Sequence, residues 1–320
     1  MPTLVTVETS ARLHLGFLDL NGESGRKFGS IGLALDQPRT RLSIRRSPAL
    51  AIEGPESDRV AGHLNLLRNR LGLAQDYRIV IEEAVPAHAG LGSGTQLALA
   101  VAAGVRRLDS LPLEIDSDSL LLQRGARSGI GAALFSRGGF VVDGGHGHAK
   151  SLPPVVASLP FPEDWRIILV MDGETKGVHG DAEREAFAKL PLFPESEAAR
   201  ICHSVLMGAL PALVERDLVT FGRAIADIQM RLGDYFAPAQ GGARYTSAKV
   251  AAVMDRLERL GAKGVGQSSW GPTGFAFVEN EKEAKRLIGL IQENSPQANP
   301  TMLICKGINH GARIEAIQAP

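Results

Sequence analysis

A short glycine-rich loop precedes an apolar helical run in the sequence GLGSGTQLALA at residues 90–100. Its glycines allow a tight turn and a close approach of the backbone to a ligand, because no Cβ stands in the way. Residues 95–107 are predicted to form a helix, whose free N–H groups and dipole favour an anion at its N-terminus. The pattern predicts a phosphate-binding loop; a glycine-rich turn before a packed helix is the simpler alternative. The predicted phosphate ligands of this loop are Gly90, Gly92, Ser93, Gly94 and Thr95.

The composition limits the classes of protein to consider. The chain has 320 residues, and its 35 lysines and arginines equal its 35 aspartates and glutamates. It therefore presents no overall field that would attract nucleic acid or an anionic membrane. Cys202 and Cys305 lack metal-type spacing, which fits free thiols in a reducing compartment. With no predicted signal peptide and no uninterrupted apolar run of membrane-spanning length, we expect a cytoplasmic protein with small-molecule substrates.

The elements that must position the loop divide into two halves. Alternating residues predict strands through 1–50, and residues 131–143 are predicted to form a hairpin. Four prolines make residues 151–162 the best candidate linker. The second half predicts a β-α-β-β-α-β order, which is typical of a ferredoxin-like α+β sandwich. We therefore predict domains over residues 1–155 and 163–320, with the site in the cleft between them.

Two further segments share the glycine- and serine-bearing character of the loop. They are SARLHLGFLDL at residues 10–20 and GQSSWGPTGFAF at 266–277. In order, spacing and predicted secondary structure, the three segments resemble the signature motifs of the GHMP kinase superfamily. The narrower resemblance is to the β-ribofuranosylaminobenzene 5'-phosphate synthase family, and RSGIGAALFSRGGFVVDGG at 127–145 also carries it. The resemblance implies an α+β fold with a ribosomal S5-like first domain, a ferredoxin-like second domain and a homodimer.

The family resemblance implies a decarboxylative transfer of a phosphoribosyl group. In this reaction 5-phosphoribosyl 1-diphosphate combines with 4-aminobenzoate, or with 4-hydroxybenzoate, and diphosphate and carbon dioxide are released, in tetrahydromethanopterin biosynthesis. The chemistry needs a clamp for several negative charges, a metal ion, implied as Mg²⁺, and close positioning of the substrates. It does not strictly need a general base, because carbon dioxide leaves where a proton normally would.

One departure from the superfamily pattern bears on the choice between kinase and synthase. The kinases usually carry Ser-Gly-Ile/Met-Asp after the second motif, where this chain has Ser128-Gly129-Ile130-Gly131. A glycine cannot accept a proton or steer an alcohol, so phosphoryl transfer lacks a main catalytic group. Asp143 could substitute, although it lies a strand away in sequence. The alternative functions are an ATP-dependent small-molecule kinase and a catalytically silent ligand sensor of the same fold.

The remaining site residues follow from this resemblance and from side-chain chemistry. Arginine suits phosphate oxygens, because its planar fork donates two hydrogen bonds at once. The clamp for phosphate and diphosphate is therefore expected to include Arg12, Arg26, Arg127, Ser128, Ser268 and Ser269. Lys176 and His179 are candidates for the benzoate carboxylate or the diphosphate.

Three further candidates each have an alternative interpretation. Asp19 is expected as a partner of Mg²⁺ or of a ribose hydroxyl, or else only caps a turn. His14 is expected in the substrate site, or else is an ordinary polar residue of a strand. Trp270 would stack on the aromatic substrate, or else only packs in the core. The predicted catalytic residues are Arg12, Asp19, Arg26, Lys176 and His179.

Overall fold

A computed structural model describes residues 2–175, 177, 180–293 and 300–318, except the side chains at positions 181, 182 and 184. The strands are β1 (Pro2–Asp19), β2 (Phe28–Ser47), β3 (Ala51–Glu53), β4 (Asp76–Glu83), β5 (Phe140–Asp143), β6 (Val155–Leu159), β7 (Arg166–Met171), β8 (Lys263–Gln267), β9 (Gly274–Val278), β10 (Thr301–Cys305) and β11 (Arg313–Gln318). The helices are α1 (Ser57–Leu71), α2 (Ser93–Leu108), α3 (Ile115–Leu121), α4 (Ile130–Arg137), α5 (Gly180–Lys189), α6 (Glu195–Ser204), α7 (Leu210–Glu215), α8 (Leu218–Phe236), α9 (Ala248–Arg259) and α10 (Glu281–Glu293). A π-helical turn, Val205–Ala209, joins α6 to α7, and a 3₁₀ turn, Ala237–Gln240, follows α8.

The first sheet is built around the antiparallel pair of long strands β1 and β2. β11 lies beside β1, β4 and then β3 lie beyond β2, and β5 pairs with β2 and carries β6. α2 packs on β1 and β2, with a run of buried residues from Gln96 to Arg106. Its apolar side chains share a core with Val7 and Ile44. Because α2 is buried along most of its length, the loop at its N-terminus is held firmly against the sheet.

The second sheet has the strand order β10-β7-β9-β8, and all neighbouring strands are antiparallel. α9 and α10 cover one face, where Val250, Met254 and Leu287 pack with Ile168. The ferredoxin-like order predicted from the sequence is therefore confirmed, with α5 to α8 inserted between its first strand and its first helix. The other face of this sheet shares a core with β1, β2 and α8.

Two predictions about local structure are wrong. Residues 131–143 form most of α4 followed by β5, not a hairpin. The side chains of Ile130 and Leu134, one helical turn apart, close over Gly32 of β2. The predicted linker, residues 151–162, contains β6, which pairs with β5. Short apolar runs fit a strand and a buried helix equally well, so tertiary packing decides between them.

The last strand, β11, belongs to the sheet that the first half of the chain forms. The predicted boundary region, residues 155–163, contains β6 and precedes β7, the first strand of the second sheet. β11, however, returns to the first sheet and pairs with β1. The domain limits themselves stay a prediction.

One segment of the described chain, Glu195–Glu215, is long and apolar enough by length and composition to cross a membrane. It consists of α6, the π-helical turn and α7, and it lies against α8 and β1. Ile201, Ala209 and Leu213 are buried within the shared core. The segment therefore has a packing role in the fold, and a single helix of this kind is weak evidence for a membrane span.

Candidate active site

The three motif segments meet at one backbone carbonyl, that of Gly90. Arg12 Nη1 donates to Gly90 O at 3.0 Å, and Ser268 Oγ donates to the same oxygen at 2.7 Å. The Ser268 hydroxyl also accepts from the backbone N–H of His14 at 3.0 Å. β1, the glycine loop and the β8–β9 connection are therefore joined by hydrogen bonds. A phosphate contact by Ser268 would have to break the bond that it donates to Gly90.

The glycine loop lies directly on Arg12. Gly92 is the N-cap of α2 and has a left-handed φ of 77°. A Cβ on Gly92 would come within 2.6 Å of Arg12 Cγ. The backbone N–H of Arg12 donates to Leu91 O at 3.0 Å. Burial lowers the pKa of Arg12 to about 10, and the carboxylate of Glu183 opposes that shift. The predicted proximity of Arg12 and the loop is thus present in the structure.

Two arginines, Arg59 and Arg124, lie on the other side of the loop, at Gly94. A Cβ on Gly94 would be 2.8 Å from Arg59 Nη2 and 3.0 Å from Arg124 Nη1. Arg59 is on α1, where it pairs with Glu56 at 2.5 Å. Burial, and then the charge of Arg59, lower the pKa of Arg124. Nothing in the sequence marks Arg59 as a site residue, because it is one of several charged residues on an amphipathic helix.

A buried histidine lies next to these two arginines. His63 is 8% exposed on α1, and its Nε2 has no hydrogen-bond partner within the described chain. Burial and the charges of Arg124 and Arg59 lower the pKa of His63 to about 4. The histidine is therefore neutral at pH 7, and the positive charge here comes from the two guanidinium groups.

The side chain of Arg127 lies against α5. Its guanidinium forms an ion pair with Glu183 and lies 5.0 Å from the centre of the Phe187 ring. The charge of Arg127 contributes to lowering the pKa of His14, which places it within electrostatic range of β1. Arg127 is thus near the predicted site, with one carboxylate already beside it.

The carboxylate of Asp143 binds the turn at Ser128 and Gly129. One oxygen of Asp143 accepts from Gly129 N at 2.9 Å and from the Ser128 hydroxyl at 3.4 Å. The other oxygen accepts from Gly145 N at 2.9 Å. Asp143 is fully buried, and burial raises its pKa. With both oxygens bound to neighbouring groups, this carboxylate holds the turn and is not presented to an alcohol substrate.

An aromatic cluster adjoins the loop and is formed by Phe17, Phe28, Phe187, Phe236 and Trp270. Trp270 is 4% exposed, with its ring centre 4.6 Å from that of Phe236 and 5.3 Å from that of Phe187. The His14 ring contacts Phe17 at 4.5 Å between centres. A cavity of about 640 Å³ opens beside this cluster, and His14, Phe17, Phe236, Ser269 and Trp270 are among its lining residues.

The backbone fixes His14 and Ser269 beside each other. Ser269 has a left-handed φ of 57°, and its N–H donates to His14 O at 3.3 Å. His14 is 4% exposed. Burial, followed by the charge of Arg12, holds the pKa of His14 well below its usual range. His14 therefore faces the site as a neutral imidazole.

Asp19 and Arg26 make local contacts. Asp19 Oδ1 accepts from Asn21 N at 2.7 Å and from Gly22 N at 3.2 Å, the turn-capping geometry given as its alternative role. Arg26 donates to Gly144 O at 2.7 Å and to Gly145 O at 2.6 Å. These local contacts do not test the predicted catalytic roles of Asp19 and Arg26, which stay predictions.

Other predicted residues are placed as follows. Thr95 lies on α2 against Gly131. A Cβ built on Gly131 would be 2.8 Å from Thr95 Cγ2. Lys176 and His179 lie outside the described residues. Within the described chain, no three His, Cys, Asp or Glu residues are grouped as metal ligands. Asp19 has one oxygen bound in the turn, and its role as a partner of Mg²⁺ stays a prediction.

Family models match both halves of the chain. The model described as GHMP kinases N terminal domain matches residues 58–139, and the one described as GHMP kinases C terminal matches residues 209–295. The β-ribofuranosylphenol 5'-phosphate synthase of Archaeoglobus fulgidus is 34% identical over 87% of this chain and 88% of its own length. The synthase of the same name from Methanothermobacter thermautotrophicus is 30% identical over 86% and 89%.

The chain belongs to the β-ribofuranosylphenol 5'-phosphate synthase family. This confirms the family and the superfamily expected from the motifs, although the relatives are named for a ribosylated phenol where the expectation named the aminobenzene. Solved structures show the same fold. Homoserine kinase from Cytophaga hutchinsonii matches with a TM-score of 0.71 at 18% identity over 98% of each chain. Mevalonate diphosphate decarboxylase from Staphylococcus aureus matches with a TM-score of 0.67 at 18% identity.

Proposed function

We propose that this protein transfers the phosphoribosyl group of 5-phosphoribosyl 1-diphosphate to a para-substituted benzoate, with release of diphosphate and carbon dioxide. The acceptor is 4-aminobenzoate or 4-hydroxybenzoate. The names of its relatives favour a phenol as the product. On this proposal the protein is a decarboxylating pentosyltransferase.

The observation that carries the proposal is the excess of positive charge at the glycine loop. Arg12, Arg59 and Arg124 contact the loop, and Arg127 lies near His14. Among the described residues, two carboxylates pair with these four groups, Glu56 with Arg59 and Glu183 with Arg127. Poorly compensated cations in a partly buried site favour an anionic ligand. A phosphoribosyl diphosphate presents two such groups, a phosphate and a diphosphate, in one molecule.

The reaction balances without a general base. The bond between ribosyl C1 and the diphosphate oxygen breaks, and its electron pair leaves with diphosphate. The ring carbon that carries the carboxylate forms a carbon–carbon bond to C1. The bond from that ring carbon to the carboxylate then breaks, and its electron pair restores the aromatic ring as carbon dioxide leaves. The clamp would contribute by stabilising the charge that develops on the departing diphosphate.

The same geometry disfavours a kinase. Gly131 stands where the kinases carry an aspartate, and Thr95 fills the space that its side chain would need. The nearby Asp143 has both oxygens bound to the turn at Gly129 and Gly145. A phosphoryl transfer to an alcohol would therefore lack a carboxylate to orient the hydroxyl.

The metal, the oligomeric state and the pathway are proposed from the family resemblance, and the location from the sequence composition. We propose that Mg²⁺ accompanies the diphosphate, since this ion usually binds through substrate phosphates and one or two carboxylates. We further propose that the enzyme works as a homodimer in the cytoplasm. Its product would enter tetrahydromethanopterin biosynthesis.

Ligand-induced thermal stabilisation tests the choice of donor. A ligand present at a hundred times its Kd stabilises the folded state by about 2.7 kcal/mol, so binding raises Tm measurably. We expect 5-phosphoribosyl 1-diphosphate with Mg²⁺ to raise Tm and ATP with Mg²⁺ to have a much smaller effect. A rise with ATP and none with the phosphoribosyl donor would favour the kinase or the sensor instead.

A further inference from the structure

We propose that Arg59 and Arg124, together with the N-terminus of α2, form a subsite for the departing diphosphate and not for the 5'-phosphate of the donor. The inference rests on the proposed function and divides its phosphate clamp into two parts. The Gly94 end of the glycine loop faces Arg59 and Arg124, whereas its Gly90 end accepts from Arg12. The two ends thus present separate positive groups to a donor that carries two separate anions.

Two guanidinium nitrogens converge on the backbone of Gly94. The Cβ position there lies 2.8 Å from Arg59 Nη2 and 3.0 Å from Arg124 Nη1. Both nitrogens are therefore close enough to each other to bind one phosphate group, or two phosphates that share an oxygen. The place is open to a ligand, because the Arg59 side chain is 31% exposed and Arg124 and Gly94 are half-buried.

The first turn of α2 adds backbone donors at the same place. The N–H groups of Ser93 and Gly94, the first two residues of this helix, have no hydrogen-bond acceptor within the described residues. Such N–H groups point out of the N-terminal end of a helix, where the macrodipole adds about half a positive charge. An anion at this end therefore receives backbone donors as well as guanidinium donors.

Two buried polar atoms beside the arginines also lack partners. Arg124 Nε and His63 Nε2 have no hydrogen bond within the part of the chain that the structure describes, and His63 is 8% exposed. The charges of both Arg124 and Arg59 act on the imidazole of His63, which therefore lies near them. Buried polar atoms are paired in the great majority of cases, so two exceptions in one place point to a ligand.

The charge balance at this end favours the more highly charged anion. Arg59 pairs with Glu56, and among the described residues no carboxylate pairs with Arg124. Burial, and then the like charge of Arg59, lower the pKa of Arg124, so an anion between the two groups relieves their repulsion. A diphosphate carries more negative charge than a phosphate monoester. It gains a further charge as the bond to ribosyl C1 breaks, and fixed donors stabilise that charge best.

The position of the aromatic cavity agrees with this assignment. Residues of β1, α8 and the β8–β9 connection line the cavity, and neither Arg59 nor Arg124 does. The β8–β9 connection contacts the loop at Gly90, whereas the two arginines contact it at Gly94. In a displacement, the nucleophile approaches the ribosyl carbon from the face opposite to the leaving group. An acceptor in the cavity and a diphosphate at Gly94 lie on the two sides that this geometry needs.

Binding of two small probes tests the assignment. Inorganic diphosphate represents the leaving group, and ribose 5-phosphate carries the other anion of the donor. We expect Arg59→Gln and Arg124→Gln each to raise the Kd of diphosphate by about tenfold to a hundredfold, measured by titration calorimetry with Mg²⁺ present. The Kd of ribose 5-phosphate should change by less than about threefold, because charges at a distance are screened. Arg70→Gln is the matched control, since Arg70 is exposed in the last turn of α1, and it should change neither Kd.

Three results would overturn the assignment. They are an equal rise in Kd for both probes, a larger rise for ribose 5-phosphate, and an unchanged Kd for diphosphate in both variants. A wild-type protein that binds no diphosphate would overturn it as well. A melting temperature for each variant shows that it is folded. If Arg124→Gln is unstable, Arg124→Lys keeps the charge without the planar fork and should raise the Kd of diphosphate by a smaller factor.

The proposed function has a separate readout. If the two variants weakened diphosphate binding as expected, but the wild type released no carbon dioxide from either benzoate with the phosphoribosyl donor, the transfer would be wrong and the diphosphate subsite would stand. If carbon dioxide were released and the variants weakened both probes equally, the transfer would stand and the division of the clamp would be wrong.

Discussion

The side chain of Arg12 lies directly against the backbone of Gly92, at the point where the glycine loop enters α2. A Cβ at position 92 would meet Arg12 Cγ at 2.6 Å, and the φ of 77° is one that side chains rarely adopt. The conformation of the loop and the position of the arginine are thus set by each other. Glycine at this position is required by both the space and the backbone angle.

Gly92→Ala should therefore weaken the phosphate site and destabilise the protein. We expect a loss of about 1–3 kcal/mol in the free energy of unfolding and a rise in KM for the phosphoribosyl donor. Gly62→Ala is the matched control, because a Cβ at Gly62 on α1 meets nothing within 4 Å. That control should be neutral or stabilising by about 0.5–1 kcal/mol. Equal effects of the two substitutions would show that the contact has no importance.

Arg59→Ala and Arg124→Ala should each weaken binding of the phosphoribosyl donor. A hydrogen bond to a charged group contributes about 1.5–3 kcal/mol, so we expect a rise in Kd of about tenfold to a hundredfold for each. Titration calorimetry with 5-phosphoribosyl 1-diphosphate measures this directly. Arg70→Ala is the control, since Arg70 is exposed in the last turn of α1. An unchanged Kd in both Arg59 and Arg124 variants would remove them from the clamp.

Restoring the aspartate of the kinases should not create a kinase. In Gly131→Asp, the new side chain would collide with Thr95, whose Cγ2 lies 2.8 Å from the Cβ position. We expect a loss of about 1–3 kcal/mol in stability and no ATP-dependent phosphoryl transfer. Gly289→Asp on α10 tests the effect of the charge alone, because a Cβ there meets nothing within 4 Å. Phosphoryl transfer by the Gly131 variant would show that the missing carboxylate alone separates this chain from the kinases.

Asp172 should make the protein sensitive to acid. It follows β7 and accepts from the hydroxyls of Ser247 and Thr175, each at 2.7 Å, and the Ser247 bond leads the causes that lower the pKa of Asp172 to about 2. Because the folded pKa lies below the unfolded value of about 3.9, this stabilisation is present above pH 4 and is lost as the pH falls toward 2. Chemical unfolding of the wild type and of Asp172→Asn across pH 2–6 measures it. Parallel stability curves for the two proteins would contradict the assignment.

Local sequence signals were sufficient for much of the fold. The apolar spacing of Ala284, Leu287 and Ile291 among charged residues is typical of the amphipathic helix that the structure shows there as α10. The ferredoxin-like order also follows from the pattern, since strand and helix signals alternate clearly there. The helix at 130–137 was missed, because its run of small apolar residues fits a strand as well. Only packing against Gly32 decides that segment.

The candidate site was only partly accessible from the sequence. Arg12, Gly90 and Ser268 belong to motifs, and their proximity follows once the motifs are known to meet. Arg59 and His63 lie on an ordinary amphipathic helix, and only the tertiary fold brings Arg59 against Gly94. Asp19 is the opposite case. It belongs to a motif, but in the structure its carboxylate caps a turn.

The most direct measurement is the release of labelled carbon dioxide from carboxyl-labelled 4-hydroxybenzoate and, in parallel, from 4-aminobenzoate. The reaction contains 5-phosphoribosyl 1-diphosphate and Mg²⁺ and no ATP. We predict release that depends on the phosphoribosyl donor, with one diphosphate formed for each carbon dioxide. No release from either acceptor by folded protein, together with ATP-dependent phosphorylation of a small molecule, would contradict the proposed transfer.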